Sequence, residues 1–264
     1  MTKQSKKRSK CLTFASAVLV FGMQCVAVSQ THFTPRRDQV AVQEVTNALS
    51  AMGGVAAWSQ MSAAIITGTC TASTEQGGAT ASFRWTTQGK EFRYETDTNN
   101  NGPVYLSAHG KPYVTGASNS VTLAPEYRLR MLPYHLPGIP LQTAFANSDF
   151  GIVFIGKETV DGSPAVHIRI AQFHSVAKVQ GSQQDWWFDL SSHLPMRVKY
   201  LLPSQAGGIY ATLLWNFHGW SQQGSLLVPL ELVQTFNGEF TLQTCTVAGV
   251  EINTNPDASL FDAR

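Results

Sequence analysis

The sequence has little from which a reaction centre could be built. Its seven histidines are scattered. No H-E-x-x-H, no cysteine pair at ligand spacing and no carboxylate-rich loop occurs, which excludes the common metal sites. The absence of a G-x-S-x-G elbow excludes the usual serine-hydrolase arrangement. Glycine-rich stretches follow strand-like runs without opening helices, so phosphate cradling is unsupported. Long apolar runs are missing as well, apart from Cys11 to Val28, and acid is missing from the first 29 residues.

That one apolar run follows Lys3, Lys6, Lys7, Arg8 and Lys10 and ends at "AVSQ". A basic start, an apolar middle and a small-residue exit are the form of a secretory signal peptide. Ala27 and Ser29 place cleavage after Ser29. Gly22 and Gln24 interrupt the run, which disfavours the rival reading as a retained anchor of about 20 apolar residues. Gln24 also stands before Cys25 where a lipoprotein signal requires a small residue. The expected organisation is residues 1–29 as signal peptide, 30–37 as a flexible polar lead-in and 38–264 as a single domain, placed in the periplasm or secreted. Five of the 19 basic residues and none of the 17 acidic ones lie in the removed segment, so the remainder is slightly acidic. This argues against a nucleic-acid partner.

Only Cys70 and Cys245 survive cleavage, in a compartment that permits oxidation. They are a candidate disulfide, but a bridge needs Cα atoms within about 7 Å, which spacing alone does not establish.

Val42, Val45, Leu49 and Met52 recur at helical spacing behind Asp38 as N-cap, with Gly53 and Gly54 as the stop. From about Ser62 onward, short runs rich in Ile, Val, Thr and aromatics alternate with turn chemistry such as "TQGK", "VDGS" and "FNGE". Between Leu123 and Ala146, Pro125, Pro133, Pro137 and Pro140 exclude a long strand or an unbroken helix, leaving an irregular, partly helical cover. The fold class is therefore α+β. It is a strongly curved antiparallel sheet, an incomplete β-barrel, wrapped around an N-terminal helix and an irregular or helical lid.

Strand parity assigns the faces. Phe83 with Trp85, Phe92 with Tyr94, and Trp186 with Phe188 fall on the apolar side, as do Met196, Val198 and Tyr200 after the turn "SSHLP". Asp189 and His193 resemble parts of a triad, but the hairpin explains every residue of "DWWFDLSSHLPMRVKY", with Asp189 pairing across the ladder to Arg197 or Lys199. No catalytic residue, metal ligand or cofactor is expected. His135, in the cover, reads as a solvated loop histidine.

Several stretches carry a family resemblance. "KEFRYE" (Lys90 to Glu95), "VYLSAHGKPYV" (Val104 to Val114), "GKETVDGSPAVHIRI" (Gly156 to Ile170), "WWFDLSSHLPMRVKY" and the closing "NTNPDASLF" (Asn253 to Phe261) are similar to the hairpins of the LolA/LolB-like superfamily of bacterial outer-membrane lipoprotein-sorting proteins. His109 departs from this pattern, standing where the family usually has an acid. The resemblance implies a non-enzymatic periplasmic carrier whose apolar concave face, under a lid, holds lipid or an acylated protein. It makes Phe83, Trp85, Phe92, Tyr94, Trp186, Phe188, Val198 and Tyr200 cavity candidates and gives Arg93 a contact that holds the lid closed. The alternative is an envelope interaction or sensor module that binds a partner polypeptide in the same concavity.

Overall fold

A computed structural model describes residues 35–73, 78–89, 91–96, 103–108, 111–115, 120–122, 134–174, 179–203 and 210–262. The expected signal peptide, His109 and the cover between residues 123 and 133 lie outside these.

Helix α1 (Gln39–Ala51) buries Ala41, Glu44, Val45, Ala48 and Leu49 on one face. Asp38 is its N-cap, but makes no side-chain cap bond; its carboxylate instead accepts from Arg36 and from the backbone N–H of Phe154. A one-turn helix not expected from sequence, α2 (Val55–Gln60), follows the glycine pair and buries Trp58.

The rest of the domain is a 13-stranded sheet. Its strands are β1 (Ala63–Ala72), β2 (Thr80–Gln88), β3 (Glu91–Thr96), β4 (Val104–Ala108), β5 (Lys111–Thr115), β6 (Ser120–Thr122), β7 (Phe150–Val160), β8 (Ser163–His174), β9 (Val179–Asp189), β10 (Pro195–Pro203), β11 (Tyr210–Gln223), β12 (Leu226–Phe236) and β13 (Phe240–Ile252). Every neighbouring pair is antiparallel. The sheet is open and curved, with β6 and β7 as its edges. The chain starts in the middle at β1, steps outward to β6, crosses to the opposite edge at β7 and steps back until β13 pairs with β1. The crossing segment contains α3 (Gly138–Ala146).

This strand order explains the cysteines. Cys70 and Cys245 face each other across β1 and β13 and are joined by a disulfide with an S–S distance of 2.05 Å. Because these strands are already ladder neighbours, the bond staples the centre of the sheet. It does not set how far edges β6 and β7 can part.

The end of the lead-in lies against the sheet, where the backbone N–H of Ile152 donates to the carbonyl of Arg36. Arg37 forms a parallel bridge with Ile152, and its guanidinium donates to the carbonyls of Ala144, Phe145, Asn147 and Phe150 at 2.8–3.2 Å. A cation at the end of α3 satisfies carbonyls that the helix leaves free and opposes its dipole. The bridge also covers part of the otherwise open edge of β7.

One hydrophobic cluster runs from α1 through the inner face of the sheet to α3. Parity holds through most strands, but β10 carries a register shift between Pro195 and Arg197. A bulge of this kind inserts a residue and reverses which side chain faces inward. Met196, expected on the inner face, therefore packs outside with Val160, Ala165 and Trp187.

Candidate functional site: a filled aromatic concavity

Alternation on separate strands brings the expected wall residues onto one surface. On one side, Trp85 stacks on Tyr94 at 4.7 Å and meets Phe92 at 5.4 Å, and Phe83 lies 6.2 Å from Tyr94. On the other, Trp186 lies 6.2 Å from Phe188 and 6.1 Å from Phe217. Val198 and Tyr200 are fully buried in the same cluster. Trp215 and Phe217 belong to this wall too, and sequence reading passed over them although they alternate along β11 as the chosen residues do.

The space between the two sides is filled by the protein itself. Residues Tyr134 to Gly138 are all buried and lead directly into α3. Tyr134 stacks on Tyr200 at 5.3 Å and lies 6.2 Å from Trp186. The next residue, His135, sits 4.7 Å from Phe83, 5.8 Å from Trp215 and 6.4 Å from Trp85. Successive residues of one turn thus occupy opposite aromatic lobes. Gly138 makes this seat possible, because a Cβ there would collide with the Trp58 ring. His135 is 4% exposed, so the expectation of a solvated loop histidine is corrected. Its neighbours Tyr134, Leu136 and Pro137 are apolar enough to carry the imidazole into the core.

The plug fits the apolar wall better than it satisfies its own polar atoms. Among the described residues, the Tyr134 hydroxyl and both ring nitrogens of His135 are buried without a hydrogen-bond partner. The indole nitrogens of Trp85 and Trp215 are in the same condition. Burial pushes the His135 pKa down to about 3, and burial with the neighbouring Tyr200 raises that of Tyr134 well above its ordinary value. Both side chains are neutral at pH 7.

Arg93 donates to the carbonyl of Leu260, in the closing 3-10 turn Ala258–Phe261, at 3.1 Å and to Glu95 at 3.0 Å. Its expected hold on the lid remains a proposal.

The polar groups once weighed for catalysis are arranged differently. Asp189 does not pair with Arg197 or Lys199. It accepts bonds from the hydroxyls and backbone N–H groups of Ser191 and Ser192, which hold its pKa at about 2. A carboxylate two and three residues before those N–H groups is the local Asx geometry of a turn. Arg197 pairs with Asp161 at 2.6 Å. Lys199 pairs at 3.1 Å with Asp185, which also accepts from Arg169 at 2.8 Å. Burial alone would raise the Asp185 carboxyl, but His167, Arg169 and Lys199 hold it well below the usual carboxylate range. His167 Nδ1 completes the cluster 2.6 Å from Glu158, stacked over Trp187 at 4.3 Å. This network pairs acids with bases on the outer face and holds no nucleophile among its members. A separate cleft of about 280 Å³ is lined in part by Leu194, Met196, Phe217 and Trp220.

No protein-family model matches the chain, and no curated protein matches its sequence. Solved structures do match. A LolA superfamily protein from Nitrosomonas europaea is 10% identical with a TM-score of 0.58, covering 84% of this chain and 97% of that one. A putative outer membrane lipoprotein-sorting protein domain from Vibrio parahaemolyticus is 10% identical with a TM-score of 0.56, covering 84% and 96%. A DUF1329 family protein from Desulfovibrio piger is 12% identical with a TM-score of 0.56, covering 84% and 97%. At such identities the likeness is one of architecture: the chain has a LolA-like fold.

Proposed function

We propose that the chain is a non-enzymatic carrier that binds lipid or a lipidated protein on its concave sheet face, and that the Tyr134–Ala146 plug occupies this site until ligand displaces it. The observation that carries this reading is the mismatch between plug and wall. The wall is aromatic and aliphatic, whereas the plug places a hydroxyl and an imidazole against it with no hydrogen-bond partner among the described residues. Each buried unpaired polar group costs about 1–3 kcal/mol. An acyl chain in the same space carries no such cost and gains about 0.8 kcal/mol for every methylene buried. Displacing the plug also uncovers Leu136, Leu141 and Ala144, which are buried in the core, so the ligand that replaces it must cover a comparable apolar area.

The shared architecture with a putative lipoprotein-sorting domain supports the same reading. It takes residues 1–29 as a cleaved signal peptide, residues 38–264 as one domain and the periplasm as the compartment. Among the described residues no helix is long and apolar enough to cross a membrane. Arg93, near the closing turn, is assigned the role of steadying the closed form.

Native mass spectrometry of gently purified protein tests the proposal. Added masses matching phospholipid or acylated peptide are expected. A chain that stays free of ligand when offered both would overturn it, and capture of a polypeptide partner by crosslinking in that case would favour the sensor reading.

A further inference from the structure

Strands β10 and β11 are paired from Arg197 with Asn216 to Pro203 with Tyr210. Pro195 has no N–H with which to extend that ladder, and beside it lies the cleft of about 280 Å³. Simple alternation would place Phe217 and Trp220 on opposite faces of β11. Gly219 stands between them with φ of 63°, a left-handed backbone that favours glycine. The Trp220 ring comes to 6.3 Å from that of Phe217, tilted by 55°. These two rings form a corner of the cleft, and Leu194 and Met196 add apolar surface to it. We propose that this cleft binds a substituted ammonium group, held by the rings of Trp220 and Phe217 and by the carboxylates of Asp189 and Asp161.

The charges of the lining select that class. Four donors, the hydroxyls and backbone N–H groups of Ser191 and Ser192, converge on Oδ1 of Asp189. Its Oδ2 is left without a hydrogen-bond partner among the described residues. Asp161 offers Oδ2 to Arg197 at 2.6 Å. No lysine or arginine is among the lining residues, and the remaining titratable group there, His218, is exposed. The negative charge of Asp189 is therefore not balanced within the cleft.

Three kinds of occupant compete for such a lining. A hard metal ion takes several oxygen ligands and gains nothing from apolar rings. An uncharged apolar group would shield the carboxylates from water without compensation. An alkylated ammonium is drawn both by the ring faces and by the carboxylates, so it uses the whole lining. The volume lies below the roughly 300–1,000 Å³ of pockets that enclose a drug-sized ligand, which suits a small group rather than a whole large ligand. That group can be a free amine or the head of a lipid. The inference stands apart from the carrier reading, because a free amine tests it without lipid.

Calorimetric titration of the full chain with choline, and with its uncharged isostere 3,3-dimethylbutan-1-ol, is the test. Choline should saturate a single site and bind about tenfold more tightly than the isostere. It should also shift the Trp220 indole N–H resonance, identified by its loss in Trp220→Leu. Trp220→Leu and Asp189→Asn should each weaken choline binding by about fivefold or more. No saturable binding, equal binding of the isostere, an unmoved Trp220 resonance or unchanged affinity in Trp220→Leu would overturn the proposal. Asp189→Asn also loosens its turn; should it fail to fold, the isostere and the Trp220 resonance of the wild type decide. Dodecylphosphocholine below its critical micelle concentration separates the sources. Binding tighter than that of choline and lost in Trp220→Leu assigns a lipid head group, whereas binding no tighter than that of choline assigns a free amine, and either result upholds the ammonium site.

Discussion

His193 Nδ1 lies 2.8 Å from a carboxylate oxygen of Glu44, joining the β9–β10 turn to the buried face of α1. His193 adopts a left-handed backbone, with φ of 59°, which a non-glycine residue takes only at some cost. The bond spans 149 positions in sequence and fixes where the helix sits against the sheet. His193, which the sequence sets beside Asp189 as a possible triad member, therefore does structural work.

Removing the imidazole should leave a mostly buried carboxylate without its partner. His193→Ala is expected to lower stability by about 1–2 kcal/mol, the cost of an unsatisfied buried acceptor tempered by partial solvent access. His193→Asn should lose less, because asparagine tolerates the left-handed region and keeps an N–H donor. Urea midpoints at pH 7 check the order wild type, Asn, Ala; an alanine variant as stable as wild type would break the link.

His135 predicts a specific acid sensitivity. A histidine whose folded pKa is about 3, against about 6.5 when unfolded, binds its proton more readily in the unfolded chain. Its contribution is complete above the unfolded value and is lost as pH falls from about 6.5 toward 3. The slope is about 1.4 kcal/mol per pH unit in that interval. His135→Leu should flatten the stability profile between pH 6.5 and 4.5. Denaturant unfolding at several pH values measures this, and a variant with the wild-type slope would exclude His135 as the cause.

Asp185 predicts a second, lower limb. Its carboxyl is depressed by His167, Arg169 and Lys199 despite burial, so its stabilisation is complete above the ordinary carboxylate pKa near 4 and lost as pH falls further below it. Asp185→Asn strands three bases around a neutral amide. Arg169 and Lys199 are 40% and 33% exposed and can turn to water, so the expected loss is about 2 kcal/mol, below the 3–5 of a sealed pair. The variant should unfold at a lower urea concentration at pH 7 and lose less than wild type between pH 4 and 2. Equal acid sensitivity in both proteins would count against the assignment.

The wall of the concavity was legible because parity is a local property: Phe83 with Trp85, and Trp186 with Phe188, need only an extended backbone to share a face. Met196 was misplaced because one bulge reverses parity, and Pro195 beside a turn is a weak local sign of one. The disulfide was not legible because it depends on strand order. Nothing local to Cys70 says that the chain returns to β1 after visiting both edges. His135 was misread for a related reason. A polar residue among prolines looks solvated until the aromatic lobes that enclose it, drawn from β2 and β11, are brought together by the sheet.

The plug makes the last prediction, and it has two opposite signs. Tyr134→Phe keeps the stack on Tyr200 but removes a buried hydroxyl that has no partner. The closed form should gain about 1 kcal/mol. Because the wall is unchanged, a ligand that must displace the plug should bind about fivefold more weakly, since each 1.4 kcal/mol is a factor of ten. Gly138→Ala acts the other way. Its Cβ collides with Trp58, so the plug is seated less firmly and apolar ligand should bind more tightly even as the ligand-free protein loses stability. Fluorescent fatty-acid titration of both variants, alongside their urea midpoints, reads affinity and stability separately. Opposed changes in the two quantities are the signature of a displaceable plug. If both variants bind as the wild type does, the plug is permanent core and the carrier reading loses its site.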